Sequence, residues 1–118
     1  MRVLVIDDEQ IFLETLAARL KLRGIEARGC LDAREGIALI KSQEFDAAIL
    51  DVSMPDMDGI QALKIIKNEK PELPVILLTG HASLASAKTG MKAGAFDYLL
   101  KPFPLDDLLD RLEEARRI

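Results

Sequence analysis

Phe45-Asp46-Ala47-Ala48-Ile49-Leu50-Asp51-Val52-Ser53-Met54-Pro55-Asp56-Met57-Asp58-Gly59 is the stretch around which the rest of the chain is organised. Its apolar run, Ala47 to Leu50, is too short for a helix and shows no polar face, so it reads as a strand covered on both sides. The run stops at an acid, Asp51, and passes into a loop holding Pro55 and Gly59. Carboxylates are rarely buried for the sake of packing, which marks Asp51 as the residue expected to do chemistry.

The pattern recurs on both sides of it. Val3 to Ile6 is an apolar run ending at Asp7-Asp8, either of which would cap a following helix with Leu13, Leu16, Ala17 and Leu20 inward and Gly24 as a left-handed stop. Ile25 to Arg28 alternates as a strand, and Asp32 with Glu35 resembles a capping box for a helix burying Ala33, Gly36, Ile37 and Ile40. After the Asp51 strand, a helix is expected from about Ile60 to Asn68 with Leu63 and Ile66 inward, and Pro71 and Pro74 bracket its end. Asp56 and Asp58 read as loop residues, Gly59 as a turn glycine, and Met54 and Met57 as packing. Val75 to Leu78 is a fourth buried strand, ending in Thr79-Gly80-His81. A weaker helix from about Ser83 to Met91 follows, with Leu84, Ala87 and Met91 as its apolar positions and Gly90 and Gly94 weakening it. Phe96 to Leu100 is the fifth strand, closed by Lys101-Pro102. Leu105, Leu108, Leu109 and Leu112 give the last helix its inward stripe, with Arg111, Glu113, Glu114, Arg116 and Arg117 outside.

Five strands alternating with five helices imply a parallel sheet with helices on both faces. This is the flavodoxin-like α/β class, whose usual strand order is 2-1-3-4-5 and whose site lies beyond the carboxyl ends of the strands. Asp7, Asp8, Asp51, Thr79 and Lys101 then share one rim. Carboxylates gathered so closely must hold a proton or recruit a cation. An all-oxygen set without His or Cys selects a hard ion and suits Mg2+. Lys101 and Thr79 add donors for the oxygens of a tetrahedral anion, so the rim reads as a site for phosphoryl chemistry with one acid as acceptor.

The bulk numbers agree with one globular domain, residues 1–118. The chain is 49% hydrophobic, 31% charged and 4% aromatic, ordinary values for such a domain. Its 20 acids against 16 bases give a net charge of -4, which argues against direct nucleic-acid binding or attraction to an anionic membrane. The opening Met1-Arg2-Val3-Leu4-Val5-Ile6 lacks the pattern of a secretory signal, and the expected location is the cytoplasm. Cys30 is alone and reads as a buried or half-buried thiol without an intrachain disulfide partner or a metal-ligand pattern.

Asp7-Asp8, Asp51 followed by Met54-Pro55 and Asp58-Gly59, Thr79-Gly80, and Lys101-Pro102-Phe103, each at its own strand end and in this order, resemble the receiver domain of response regulators in two-component signalling. The resemblance spans the whole chain. It implies that Asp51 accepts a phosphoryl group from a sensor histidine kinase, and that the domain catalyses its own Mg2+-dependent phosphorylation and dephosphorylation without being a conventional enzyme. It also implies that Asp8, Asp51 and the backbone carbonyl of Ser53 ligate Mg2+, with Asp7 acting mainly through water. Thr79 and Lys101 would bind the phosphoryl oxygens, and a cis peptide at Lys101-Pro102 would aim the lysine.

The switch would be Thr79 moving inward and Tyr98 following it, changing the face made by the fourth helix, fifth strand and last helix. An output domain or partner would read that face, and a homodimer could form through the receiver or the following linker. Ser53 and His81 occupy positions that set phosphate lifetime in the family. The run from Leu78 to Phe103 resembles regulators of an ATPase-type transcription activator. Two other classes compete: an aspartyl phosphatase, which would want a general acid where Ser53 stands, and an interaction module that is never phosphorylated, which would lack the acceptor or the lysine.

Overall fold

The structure, a computed structural model, describes residues 1–54 and 58–117, with the backbone alone at residue 81. The roles read for Pro55, Asp56 and Met57, and for the His81 side chain, lie outside the described residues. Five strands, β1 (Arg2–Ile6), β2 (Glu26–Cys30), β3 (Ala47–Asp51), β4 (Val75–Thr79) and β5 (Asp97–Leu100), alternate with α1 (Gln10–Leu22), α2 (Ala33–Ser42), α3 (Gly59–Glu69), α4 (Leu84–Lys92) and α5 (Leu105–Arg116). All neighbours pair in parallel, in the order β2-β1-β3-β4-β5. The parallel sheet is the one expected from the strand–helix alternation, and its order is the usual one of the flavodoxin-like class.

Every residue of β3 and β4 is buried because side chains alternate between two covered faces. Leu4, Ile6, Ala48, Leu50, Val75 and Leu77 pack with Ile37 and Ile40 of α2 and Leu63 and Ile66 of α3. Val3, Val5, Ala47, Ile49, Ile76 and Leu78 pack instead with Leu13, Leu16 and Leu20 of α1 and Leu108 and Leu112 of α5. Cys30 lies in the first of these clusters, 3% exposed, and burial with the charges of Glu35 and Asp32 pushes its thiol up to about 12. At that value it stays protonated and inert near neutral pH.

Local details depart from the sequence reading in several places, each for a physical reason. Neither Asp7 nor Asp8 caps α1: the N-cap is Glu9, without a side-chain cap bond, and the Asp7 carboxylate accepts the Glu9 N–H instead. Strand β2 begins at Glu26 and reaches Cys30, since Ile25 donates its N–H to Leu20 at the end of the helix and Cys30 pairs with Ile6. Phe96 falls outside β5, which starts at Asp97. Asp58 caps α3 by accepting the Ile60 N–H at 3.0 Å.

In α4 the buried positions are Ala87 and Gly90, while Met91 is 37% exposed and a 3-10 turn over His81–Ser83 precedes the helix. Gly90 is the reason the helix lies so close, because a Cβ there would stand 2.4 Å from Leu77 Cδ1. With two buried positions against four in α2 and five in α3, helix α4 is the most lightly anchored of the three. Arg111 is not simply outside, since it pairs with Asp97 at 2.6 Å and ties α5 to β5. Leu105 and Leu109 are half-buried, and Ala115 completes the α5 stripe.

Gly24, at φ 81°, is the left-handed stop expected after α1, and Asp32 accepts the Glu35 N–H at 2.7 Å as a helix cap should. Gly59 has a different reason from a turn. It is the first residue of α3, and a Cβ there would lie 2.4 Å from Val52 Cα and 2.9 Å from its carbonyl oxygen. Backbone cannot rotate out of the way as a side-chain tip can. Gly59→Ala is therefore expected to destabilise the fold by about 2–3 kcal/mol, read as a lower urea midpoint at unchanged slope. An unchanged midpoint would show that the β3–α3 approach is looser than this.

Candidate functional site

The register of the sheet builds the site. Ile6 pairs with Leu50, Asp51 with Leu78 and Thr79 with Leu100, so the residues ending β1, β3, β4 and β5 emerge side by side at one rim. Asp7, Asp8 and Asp51 each offer a carboxylate oxygen, all lying within 4.8 Å of one another. Asp7 and Asp51 are buried and Asp8 is exposed, so the cluster opens to solvent on one side.

Asp51 is 3% exposed. Burial is the main force raising its carboxyl above the ordinary aspartate range; the Ser53 N–H at 2.9 Å resists, the charge of Asp7 adds to the rise, and Lys101 opposes it. A carboxylate in this position gains from a cation. The Lys101 ammonium supplies one, lying 2.8 Å from Asp7 Oδ2, 3.0 Å from Glu9 Oε1 and 3.6 Å from Asp51 Oδ2. Burial works to lower its pKa, but the bonds to Asp7 and Glu9 and the charge of Asp51 win and hold it above the ordinary lysine value. The lysine is therefore a fixed positive charge at neutral pH. The Lys101–Pro102 peptide bond is cis.

Thr79 is fully buried and its hydroxyl donates to the Gly80 carbonyl at 3.0 Å. Tyr98 is half-buried against the cluster that contains Leu77 and Ala95. Ser53 is exposed, and its hydroxyl meets that of Ser83 at 2.6 Å, linking the segment after β3 to the residue that opens α4. A separate cavity of about 660 Å³ opens at the other end of the sheet, lined by Phe45, Lys67, Pro74 and Phe96, and takes in none of the rim acids.

Three contributors escaped the sequence reading. Glu9 follows the two acids directly and could have been suspected on charge alone. Phe12 places its ring 4.2 Å from the Lys101 ammonium, a contact with no signature in spacing. Ser83 meets Ser53 only because the turn before α4 folds toward β3.

A family model for the response regulator receiver domain matches residues 3–113. The chain belongs to that family. Over 117 residues it is 38% identical to the response regulator MprA of Mycolicibacterium vanbaalenii, covering 99% of this chain and 51% of that protein. Over 113 residues it is 39% identical to the DNA-binding transcriptional regulator NtrC of Proteus hauseri, covering 96% of this chain and 24% of that protein. The chain thus spans about half, or a quarter, of the length of these relatives. Among solved structures, a response regulator receiver domain protein from Clostridium thermocellum superposes with a TM-score of 0.94 at 36% identity, covering 98% of this chain and 94% of that one. The receiver domain of NtrX from Brucella abortus gives 0.91 at 33% identity, covering 98% of each chain. The receiver's five-stranded order and its acidic rim are thus both present here. Among the described residues no helix is long and apolar enough to cross a membrane.

Proposed function

We propose that this receiver works in the cytoplasm, where it accepts a phosphoryl group on Asp51 from the phosphohistidine of a sensor histidine kinase and passes the change to an output domain or partner. The observation that carries this reading is a buried carboxylate with two more beside it and the Lys101 ammonium 3.6 Å away. The donor set is all oxygen and clustered within 4.8 Å, which fits a hard divalent cation and gives Asp51 a reason to be ionised. Asp7, Asp8 and Asp51, with the Ser53 carbonyl, would hold Mg2+. When bound, the ion neutralises charge on the oxygens of the transferring group.

The chain's own residues do the rest. An Asp51 carboxylate oxygen attacks phosphorus, the O–P bond forms as the donor's P–N bond breaks, and the imidazole leaves neutral, taking the P–N electron pair and keeping the proton already on its other nitrogen. Lys101 binds a phosphoryl oxygen, and the Thr79 hydroxyl leaves the Gly80 carbonyl to donate to another. The room Thr79 vacates lets Tyr98 turn further inward, and α4, lightly anchored through Ala87 and Gly90, shifts with it. The α4-β5-α5 face then differs between two populations that a partner or a second copy can tell apart. The likeness to NtrC favours a transcription-regulating output of the ATPase-activator kind.

Incubation with a small phosphodonor and Mg2+ is expected to add one phosphoryl mass, stable in acid and lost in base. No gain in mass, or a gain that persists when Mg2+ is chelated, would overturn the proposal. Steady release of phosphate from an ester substrate would point to a phosphatase instead.

A further inference from the structure

Resting on the acceptor role of Asp51, we infer that Phe12 is a positioning residue: its ring face carries the Lys101 ammonium beside the acceptor while Glu9 tethers the same group from the solvent side. The first turn of α1 makes this possible, because residues three apart share a helix face. The ammonium has three N–H donors. Two are taken by Asp7 and Glu9, at 2.8 and 3.0 Å, and Asp51 at 3.6 Å is beyond hydrogen-bond length. The ring centroid, 4.2 Å from the nitrogen, is well within cation–π range.

An aromatic face attracts the charge without claiming a donor through a directional bond, so it fixes where the ammonium sits and leaves a proton free for phosphoryl oxygens. Phe103 braces the ring edge-on, with centroids 6.3 Å apart and planes at 83°. Phe103 lies two residues beyond Lys101, so the chain leaving β5 supplies both the cation and the brace. Glu9 holds the lysine differently. Its side chain is 64% exposed, so that tether is screened by solvent and is the contact most readily given up.

The test compares the wild type with Phe12→Leu, Phe12→Met and Phe12→Trp in the full chain with Mg2+ and a small phosphodonor. Phe12→Leu and Phe12→Met are expected to slow adduct formation about three- to tenfold, Phe12→Trp to restore it, and the dependence on donor concentration to place the loss in the rate and not in donor binding. In NMR spectra the ε-methylene protons of Lys101 are expected upfield in the wild type and to lose that ring-current shift in Phe12→Leu. Equal rates in all four proteins, a Trp variant as slow as the Leu variant, or an unshifted Lys101 methylene in the wild type would each overturn the inference. A wild type that forms no adduct would remove the acceptor reading, and the methylene shift then decides the Phe12–Lys101 contact by itself. If Phe12→Leu fails to fold, the Met and Trp variants carry the comparison.

Discussion

Asp51→Asn is expected to form no covalent adduct and, in metal-free buffer at neutral pH, to be more stable than the wild type. The two results have one cause. Asp51 is 3% exposed with Asp7 and Asp8 beside it, so its charge is held where water cannot solvate it and two like charges oppose it. Asparagine keeps an oxygen to accept the Ser53 N–H and removes the charge, which is expected to raise stability by about 1–2 kcal/mol. It also removes the proposed nucleophile, so the phosphoryl mass should vanish altogether.

The pH dependence follows from the same rise. The folded-state pKa of Asp51 lies above the ordinary value of 3.8, so below that value both folded and unfolded chains hold the proton and the charge term is silent. As the pH climbs through 3.8 toward the folded value, the unfolded chain releases its proton first and the wild type loses stability. The Asp51→Asn curve lacks this loss. Urea denaturation across that range measures the difference, and a wild type more stable than the variant at neutral pH without metal would contradict it. Mg2+ should reverse the order. At about a hundredfold its Kd it is expected to stabilise the wild type by about 2.7 kcal/mol and to raise Tm by roughly 10 °C, with little effect on the variant.

The distinction between what the sequence showed and what it concealed follows the range of the interactions. Asp51 and Thr79 were legible because each closes a buried apolar run, and Lys101 because it stands with Pro102 where the half-buried β5 must stop; such boundaries are local facts. The parallel sheet followed from alternation, since nothing else lets runs as apolar as Ala47–Leu50 and Val75–Leu78 be covered twice. Helix α4 and its buried Ala87 stand as the periodicity predicts; only Met91 departs, since the close contact is made by Gly90, whose value lies in the Leu77 side chain opposite. Gly59 likewise looked like a turn and is a close approach to Val52. Phe12 and Ser83 carry no local signal at all, and the adjacent acids make Glu9 suspect without naming its partner, because each acts on a residue from another strand end. Their roles exist only once the register has aligned the carboxyl ends of β1, β3, β4 and β5 along one rim.

Lys101→Ala is expected to cost about 2–4 kcal/mol in metal-free buffer, and most of that cost should disappear in Mg2+. The lysine side chain is 18% exposed and faces Asp7, which is fully buried, as well as Glu9 and Asp51. Removing it strands a buried carboxylate without its cation, and a divalent ion drawn to the same acids would supply the missing charge. Lys101→Met separates charge from packing, since its unbranched stem can still lie over the Phe12 ring. If the loss is electrostatic, Met should be nearly as destabilised as Ala without Mg2+ and nearly as fully rescued with it. If the loss is packing, Met should resemble the wild type under both conditions. Stability restored by Mg2+ should not restore function. A bound ion would not replace the N–H donor that Lys101 offers to the phosphoryl oxygens, and losing one such charge-stabilising contact is expected to slow adduct formation about a hundredfold. A Lys101→Met protein that is stable in Mg2+ and forms the adduct at the wild-type rate would show that the ammonium beside Asp51 serves the fold and not the transfer.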